Sequence, residues 1–187
     1  LNASAAVFRS GKDNLAVADG NNLTPQGEQA YLAADDTKAH GFDAEISGQL
    51  AQGWQIQASY TKTVLEDSSG TRLSTAIQPE HQIKLFTTWT LPGLSRLTVG
   101  GGVLWQSKIY GTLAVNPTLD DQAPLIDQIY TQNSNAVINL NSNYACNDRL
   151  TLAVQLNNVF DETYRVHAIN HYYGAPRNLY ATLKYQF

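Results

Sequence analysis

Apolar and polar residues alternate along much of this chain, most clearly at its end. From Leu179 to Phe187 every second residue is apolar or aromatic, and the residues between them are Tyr180, Thr182, Lys184 and Gln186. A period of two places successive side chains on opposite faces of a β-strand. The final segment is therefore predicted to be a strand with one apolar face, one more polar face and a terminal aromatic residue.

The same alternation recurs upstream and predicts about eight strands. It is clearest within residues 42–50, 54–61, 82–91 and 150–157. The predicted strands are 1–10, 32–51, 54–66, 81–91, 97–110, 134–146, 149–160 and 176–187. Because a soluble β-sandwich alternates in the same way, this pattern alone does not separate a soluble protein from a membrane protein.

The links between the predicted strands alternate between short and long. The short links are 51–53, 92–96 and 147–148, and the long ones are 11–31, 67–80, 111–133 and 161–175. Outer-membrane β-barrels have short periplasmic turns and long extracellular loops, whereas loops this long are uncommon in compact soluble domains. The links therefore predict an all-β, antiparallel transmembrane β-barrel with Phe187 on the periplasmic side.

Composition agrees with a barrel that has one lipid face and one wet face. Charged residues are 15% of the chain, below the roughly 25% of soluble domains, yet the mean hydropathy is only -0.29. No run approaches the ~18 apolar residues of a membrane helix. The net charge of -4 argues against nucleic-acid binding, for which a basic stripe is expected.

Two further features concern the ends of the chain and its single thiol. Residues 1–4 already lie in a strand-like pattern with no signal peptide before them. Since an outer-membrane protein must be exported, we expect this chain to be a fragment of a longer protein. Cys146 is alone, which excludes an internal disulfide, and we expect it to be incidental.

The strand directions predict two aromatic girdles, because amphipathic rings favour membrane interfaces. Trp54, Trp89, Tyr144 and Phe187 are expected at the periplasmic interface, and Tyr60, Trp105 and Phe160 at the outer interface. The alternative is that these residues belong to an ordinary aromatic core.

Four segments together resemble the C-terminal part of a TonB-dependent ferric-siderophore receptor. They are Gly41-Phe42-Asp43-Ala44-Glu45, residues 97–103 followed by Trp105, residues 156–164, and Tyr173-Gly174-Ala175-Pro176-Arg177-Asn178. The third segment is similar to the Asn-Leu-Phe-Asp-x-x-Tyr motif of that family. Within the family, the chain looks most similar to receptors for hydroxamate siderophores such as coprogen, or for pyoverdines.

The resemblance implies a barrel of about 22 strands with a plugged lumen. Residues 1–187 would supply the last eight or so strands, without the plug domain and the N-terminal strands. The whole protein would be a receptor-transporter of the bacterial outer membrane that binds a ferric siderophore and imports it with TonB-coupled energy. The polar face would contact the plug through Asp43, Glu45, Gln49, Gln55, Gln57, Lys84 and Gln155.

The resemblance also implies the partners. They are the ferric siderophore, the TonB complex (through the missing N-terminal part), outer-membrane lipid, and the barrel assembly machinery, which would engage the strand ending in Phe187. Transport of this kind is non-covalent and the iron travels inside its chelate. We therefore expect no enzymatic activity, no catalytic residue, no protein metal ligand and no cofactor.

The last two long loops carry aromatic, imidazole and guanidinium groups that suit a flat, partly apolar chelate. Ligand sites usually lie on loops above a rigid scaffold. The candidate ligand-binding residues are Tyr110, Tyr130, His171, Tyr172, Tyr173 and Arg177, with His167 in the same cluster. The alternatives are packing within the loops and, for Arg177, a structural pairing with a carboxylate.

Several motifs have architectural interpretations. Residues 157–161 are expected to bend the chain, because Asn and Asp side chains bind nearby backbone groups. Gly100-Gly101-Gly102 is expected to mark a bend or a close approach, since no phosphate-loop Lys follows it. The neighbouring carboxylates Glu66/Asp67 and Asp120/Asp121 are expected to be solvated or to bind calcium in loops. His167 and His171 lack the further ligands of a metal site.

Three other functions are alternatives to a receptor-transporter. A self-contained eight-stranded barrel of structural or adhesive type has a permitted strand number, but inward Gly, Ser and Gln would fill its interior poorly. An outer-membrane hydrolase would require groups such as Ser107, His171 and Asp161 to meet. A soluble β-sandwich binding module is the third alternative.

Overall fold

A computed structural model of the chain describes residues 1–12, 15–34, 37–73, 77–116 and 126–187. The described residues form twelve β-strands. The strands are β1 (Asn2–Lys12), β2 (Leu15–Leu23), β3 (Gln29–Ala34), β4 (Thr37–Ala51), β5 (Trp54–Glu66), β6 (His81–Thr90), β7 (Leu97–Gln106), β8 (Ile109–Val115), β9 (Ile126–Gln132), β10 (Asn135–Ala145), β11 (Leu150–Asn157) and β12 (Asn178–Tyr185). None of these residues forms a helix long and apolar enough to cross a membrane.

Eight of the strands form one antiparallel sheet in the order β1-β4-β5-β6-β7-β10-β11-β12. The other four form two separate hairpins, β2–β3 and β8–β9. Each strand of the large sheet therefore pairs with the next one along the chain once the hairpins are set aside. The predicted all-β antiparallel architecture is confirmed, and its eight strands are the members of the large sheet.

Two predicted strands were too long because they ran on into the hairpins. Segment 32–51 divides between β3, which pairs with β2, and β4, which pairs with β1 and β5. Segment 97–110 divides between β7 and β8 after Gln106. No glycine or proline stands at either junction, and the only turn-favouring residues there are Asp35, Asp36 and Ser107, whose types also occur within the strands. The long links 11–31 and 111–133 are therefore largely built of strands.

The strand predicted for residues 149–160 was also too long. It ends at Asn157 because Asn158 adopts a φ of 49°, which takes the backbone out of the extended conformation.

The cross-strand register keeps the two kinds of side chain apart over the whole sheet. On one face Tyr60 lies opposite Ile83, which in turn lies opposite Trp105. On the other face Ser59 lies between Glu45 and Lys84. We call these the apolar face and the polar face. Since Cβ atoms alternate along every strand, this register extends both faces from β1 to β12.

The apolar face is not covered by protein. Among the described apolar residues only Val64, Ile109, Val137 and Ala168 are buried, and none of the large sheet's apolar rows packs against a second layer. Soluble proteins rarely expose a contiguous apolar surface of this extent. A lipid environment removes that surface from water, as it does for the outer band of an outer-membrane barrel.

Glycine allows close approach of strands at β4 and β7. A Cβ on Gly100, Gly101 or Gly102 would lie 2.7, 2.8 or 2.9 Å from the carbonyl oxygens of Thr87, Asn139 and Leu85, respectively. The expected close approach at this triplet is confirmed. At Gly41 a Cβ would overlap the carbonyl oxygen of Lys62 on β5.

Gly41→Ala is expected to destabilise the full-length barrel. The methyl group would collide with backbone, which cannot rotate away, so we expect a loss of about 1–3 kcal/mol. Ser47→Ala is the control, because Ser47 lies on the same strand and the same face. The measurement is the urea concentration at the midpoint of unfolding. Electrophoresis monitors the unfolding, because folded and unfolded barrels differ in mobility. Equal midpoints for the two variants would contradict the predicted collision.

Candidate functional site

Asn158 fastens the base of the last long connection. Its side chain is almost fully buried, its Nδ2 donates to the carbonyl oxygens of Glu162 (2.9 Å) and Ala175 (3.1 Å), and its Oδ1 accepts from the Glu162 N–H (2.8 Å). The Asn158 N–H donates to Asn139 Oδ1 on β10 at 2.9 Å. The side chain of Asn158 thus joins both ends of the connection, and its backbone N–H joins them to the sheet, which confirms the bend predicted for residues 157–161.

Arg177 stands where this connection enters β12. Its backbone N–H donates to Asp161 Oδ1 at 2.8 Å, and its Nη1 reaches the carbonyl oxygen of Val159 at 3.5 Å. None of the ion pairs among the described residues includes its guanidinium. The expected carboxylate partner is therefore present, but it holds the backbone of Arg177, because the turn at 158–161 lays Asp161 over that amide. The exposed guanidinium remains accessible to an anionic ligand.

The middle of the connection folds back on itself as a short ribbon. Val166 N–H donates to the Tyr172 carbonyl oxygen (2.8 Å), and Gly174 N–H donates to that of Tyr164 (2.9 Å). Gly174 is needed here, because a Cβ at this position would overlap the Tyr164 ring. Ala168 is fully buried beneath the tip.

The ribbon places two candidate tyrosines beside basic side chains. The Arg165 guanidinium lies 5.7 Å from the centre of the Tyr173 ring, within range of a cation–π interaction. The His167 ring meets the Tyr172 ring edge-on at 6.4 Å. Both tyrosine side chains remain largely exposed.

The β8–β9 hairpin contacts the ribbon. The Tyr130 ring on β9 meets the His171 ring edge-on at 5.8 Å, and Gln132 Oε1 accepts from the Arg165 N–H at 2.9 Å. His171 adopts a φ of 50°, which turns the chain at this contact. Residues that are about forty positions apart in sequence are thereby brought into one patch.

The candidate residues do not form a single cluster. Tyr110 lies opposite Thr131 and Tyr130 lies opposite Gly111, so the two tyrosines point to opposite faces of the hairpin. Tyr110 instead lines a pocket between the end of β5 and the start of β8 together with Arg72, Glu80, His81, Ser107 and Lys108. The structure therefore groups Tyr130 with His171 and the ribbon, and separates Tyr110 from them.

Sequence reasoning missed the ion-pair cluster beside that pocket. Glu80 Oε2 lies 3.1 Å from Arg72 Nη1, and Glu80 Oε1 lies 3.8 Å from Lys62 Nζ and 3.5 Å from His81 Nε2. His81 Nδ1 is also 2.7 Å from the Tyr60 hydroxyl. The cluster could have been foreseen only from the register that pairs Lys62 with His81, since its members are scattered along the chain.

The hydrolase alternative is not supported by these positions. Ser107 Oγ accepts from the His81 backbone N–H (3.0 Å), His171 contacts Tyr130, and Asp161 binds the Arg177 amide. Ser107, His171 and Asp161 therefore do not form the arrangement that nucleophilic catalysis requires.

The neighbouring carboxylates Glu66 and Asp67 have different partners. Asp67 Oδ1 accepts from the Ser69 hydroxyl (2.6 Å) and from the Ser69 and Thr71 N–H groups, and the Ser69 hydrogen bond is the main cause of the lowered pKa of this carboxyl. Glu66 lies 3.8 Å from His40 Nδ1. Asp120 and Asp121 lie outside the described residues. No group of three metal-ligating side chains occurs in the described ranges.

All four aromatic residues predicted for the periplasmic interface lie toward the short-turn end of the sheet. Trp54 is opposite Trp89, with ring centres 6.4 Å apart, and the Trp54 indole donates to Thr87 Oγ1 at 2.8 Å. Tyr144 is opposite Leu97 at the same end. Phe187 lies beyond β12, against the Tyr185 ring at 5.2 Å.

The three aromatic residues predicted for the outer interface do not share one position in the sheet. Tyr60 and Trp105 share one row on either side of Ile83. Phe160 is 72% exposed but lies past the end of β11. Its place in the girdle was inferred from strand parity, and that argument fails because Asn158 breaks the strand. The depth of both girdles in the membrane stays a prediction.

A large sheet with a continuous apolar face, short turns at one end and structured long connections at the other defines a segment of an outer-membrane β-barrel. A family model described as TonB dependent receptor-like, beta-barrel, matches residues 1–159. The chain belongs to this family, whose members are transport receptors.

The relatives include receptors for ferric pyoverdines. The ferric-pyoverdine BN7/BN8 receptor of Pseudomonas putida is 38% identical over 189 residues, which are 100% of this chain and 21% of that receptor. The ferripyoverdine receptor of Pseudomonas aeruginosa is 37% identical over 195 residues, 100% of this chain and 23% of that receptor. The chain thus spans about a quarter of these relatives' length or slightly less.

A solved structure shows the same fold. The crystal structure of the ferripyoverdine receptor of the outer membrane of P. aeruginosa, bound to ferripyoverdine, matches with a TM-score of 0.86 and 35% identity, over 99% of this chain and 25% of that chain. These comparisons confirm the resemblance stated from the motifs and favour its pyoverdine branch.

Asn158→Ala is expected to loosen the last connection. The variant loses three side-chain hydrogen bonds and places a Cβ-bearing residue without local support at positive φ, which together cost about 3 kcal/mol. Asn158→Gly loses the same three hydrogen bonds but not the backbone preference, since glycine adopts positive φ without strain, and should cost about 1 kcal/mol less. The measurement is the rate of proteolytic cleavage within residues 161–177 of the full-length protein.

Asn143→Ala provides the control, since Asn143 is an exposed asparagine on the polar face of β10. It should leave the cleavage rate unchanged. If Asn158→Ala were cleaved no faster than this control, Asn158 would not be the fastening residue.

Proposed function

We propose that the full-length protein is an outer-membrane receptor that binds a ferric siderophore of the pyoverdine class and imports it with TonB-coupled energy. The observation that carries this proposal is the 38% identity to a ferric-pyoverdine receptor over the whole of this chain. The patch of Tyr130, His171, Tyr172 and Tyr173 supports it, and so does Arg177, which is exposed at the end of the same connection. A flat anionic chelate suits aromatic rings and an arginine side chain.

The polar face of the sheet supports a lumen that receives a plug. It presents Asp43, Glu45, Gln49, Gln55, Gln57, Lys84 and Gln155. On this proposal, the plug and the segment that contacts the TonB complex belong to the N-terminal part of the whole protein. Iron enters within its chelate, so the receptor needs no cofactor, no protein metal ligand and no enzymatic step.

Two further partners belong to the proposal. Lipid covers the apolar face, since water would otherwise contact its whole area. The barrel assembly machinery engages β12, whose outer edge is unpaired within the sheet and which is followed by Phe187.

The alternative of a self-contained eight-stranded barrel disagrees with the sheet. β1 and β12 lie at its two ends and do not pair with each other. Open sheet edges are not tolerated in lipid, so an isolated eight-stranded sheet of this form would not be stable there. The soluble β-sandwich alternative fails on the uncovered apolar face.

Iron uptake in a strain that lacks its own pyoverdine receptor tests the proposal. The full-length gene should restore uptake of radioactive iron from ferric pyoverdine, and deletion of tonB should abolish it. Ferric coprogen and a ferric catecholate are the comparison ligands. Uptake from either of these but not from any ferric pyoverdine would overturn the proposed substrate class, and uptake without TonB would overturn the mechanism.

The division of the tyrosines gives a sharper prediction. Tyr130→Ala should weaken binding of ferric pyoverdine about fivefold, because one aromatic contact contributes about 1 kcal/mol. Tyr110→Ala removes the same ring from the opposite face of the hairpin and should leave binding unchanged. Titration of each purified full-length variant with ferric pyoverdine, monitored by quenching of the receptor's tryptophan fluorescence, measures the difference. The reverse ranking would place the ligand on the Tyr110 side.

A further inference from the structure

Two pockets lie one above the other on the apolar face, along β1, β4 and β5. The lower pocket is lined almost only by apolar atoms, chiefly of Ala3, Ala44, Ile46, Ala58, Tyr60 and Ile83. The upper pocket has an apolar floor and three basic side chains, and its principal lining residues are Val7, Phe42, Val64, His40, Lys62 and Arg72. One surface column thus changes from apolar to basic along its length.

The register explains the column. The row Ala5–Ala44–Tyr60 lies directly below the row Val7–Phe42–Lys62. Small alanine side chains on β1 and β4 leave a depression beside Tyr60. The Phe42 and Tyr60 rings, with centres 5.2 Å apart, stand where the two pockets meet.

The basic end of the column faces the outer leaflet. His40, Lys62 and Arg72 lie on the side of the long connections, just beyond the row that contains Tyr60 and Trp105. Long connections are extracellular in outer-membrane barrels. The upper pocket is therefore at the level of the outer headgroups, and the lower pocket is at the level of the acyl chains.

The charges of the upper pocket are not cancelled at its surface. Lys62 and Arg72 pair with Glu80, and His40 pairs with Glu66, but neither carboxylate lines this pocket. The His40 and Lys62 pairs are long, at 3.8 Å each. Arg9, opposite His40 in the register, adds a fourth basic residue at the rim. The carboxylates thus pair with the basic groups from outside the lining of this pocket, and the side chains of His40, Lys62 and Arg72 stay 44%, 35% and 60% exposed, respectively.

We infer that this column binds one lipid A unit of lipopolysaccharide, the acylated and phosphorylated glycolipid of the outer leaflet. A headgroup phosphate is bound by Lys62, Arg72 and His40, and an acyl chain lies in the lower pocket. Basic pockets at the membrane surface favour phosphorylated headgroups, and the apolar groove continues from the basic pocket in the direction the chains take. This inference depends on the outer-membrane location and is independent of the siderophore imported.

Native mass spectrometry of the full-length receptor in detergent, titrated with lipid A, tests the headgroup contact. Lys62→Gln combined with Arg72→Gln should weaken binding about 30-fold, since each basic residue near an anionic surface contributes about 1 kcal/mol. Arg96→Gln combined with Arg149→Gln removes two charges at the short-turn end and should have no effect. Equal loss in both pairs, or no loss in the first, would overturn the inference.

Glu80→Gln separates lipid binding from structural support. It breaks the same ion pairs as the double variant but keeps both basic groups, so lipid A binding should be retained or become tighter. A loss as large as that of the double variant would mean that the ion pairs, and not the basic groups, matter. Electrophoretic mobility shifts identify variants that fail to fold.

The groove is tested separately. Ala44→Phe should fill the lower pocket and weaken lipid A binding, whereas Ala181→Phe, on the same face of β12, should not. Phosphatidylglycerol supplies a phosphate and acyl chains without the sugar headgroup. Equal affinity for phosphatidylglycerol would overturn the assignment to lipid A.

Discussion

The cross-strand register is the constraint on which the rest of the molecule depends. Side chains alternate along each strand, so a slip of one residue between any two neighbours would move a whole row to the wrong face. Among the described pairs of the large sheet, the register shifts only between Gln49 and Ala51, at the short-turn end of β4 and β5. The apolar rows beyond that point run without a slip from β1 to β12. The short turns and the close contacts at glycine fix this register, and lipid stabilises the continuous apolar face that results from it.

The outer end of the sheet adds rigid elements to that base. The buried side-chain amide of Asn158 joins the start and end of the last connection, and its backbone N–H binds Asn139 on β10. The β8–β9 hairpin then meets the same connection through Tyr130 and Gln132. The candidate ligand-binding groups are thus presented by strands and fastened turns, an arrangement that reduces the conformational entropy lost when a ligand binds.

The sequence was sufficient to predict the large sheet but not the hairpins and the side-chain contacts above it. Alternation and link lengths predicted the eight strands, because one buried and one wet face leave a period of two. The two hairpins were missed, since the only turn-favouring residues within 34–37 and 106–109 are Asp35, Asp36 and Ser107, and the same residue types also occur within the strands. Phe160 was assigned to a face by assuming that side chains alternate along one strand through Asn158. The left-handed backbone of Asn158 ends the strand, so alternation does not give the face of Phe160. The Glu80 cluster and the separation of Tyr110 from Tyr130 depend on pairing between distant segments, which one sequence does not display.

Only Ser107 and Lys108 separate β7 from β8, and Ser107 is bound through its N–H and its hydroxyl to the backbone of His81. The hairpin is therefore anchored at a fixed point above the sheet, while the described residues of β8 and β9 pair only with each other. Insertions, deletions or exchanges beyond that anchor do not propagate into the register below. A receptor built in this way can acquire a new ligand by exchanging a hairpin, and it keeps the same membrane-spanning wall while it does so.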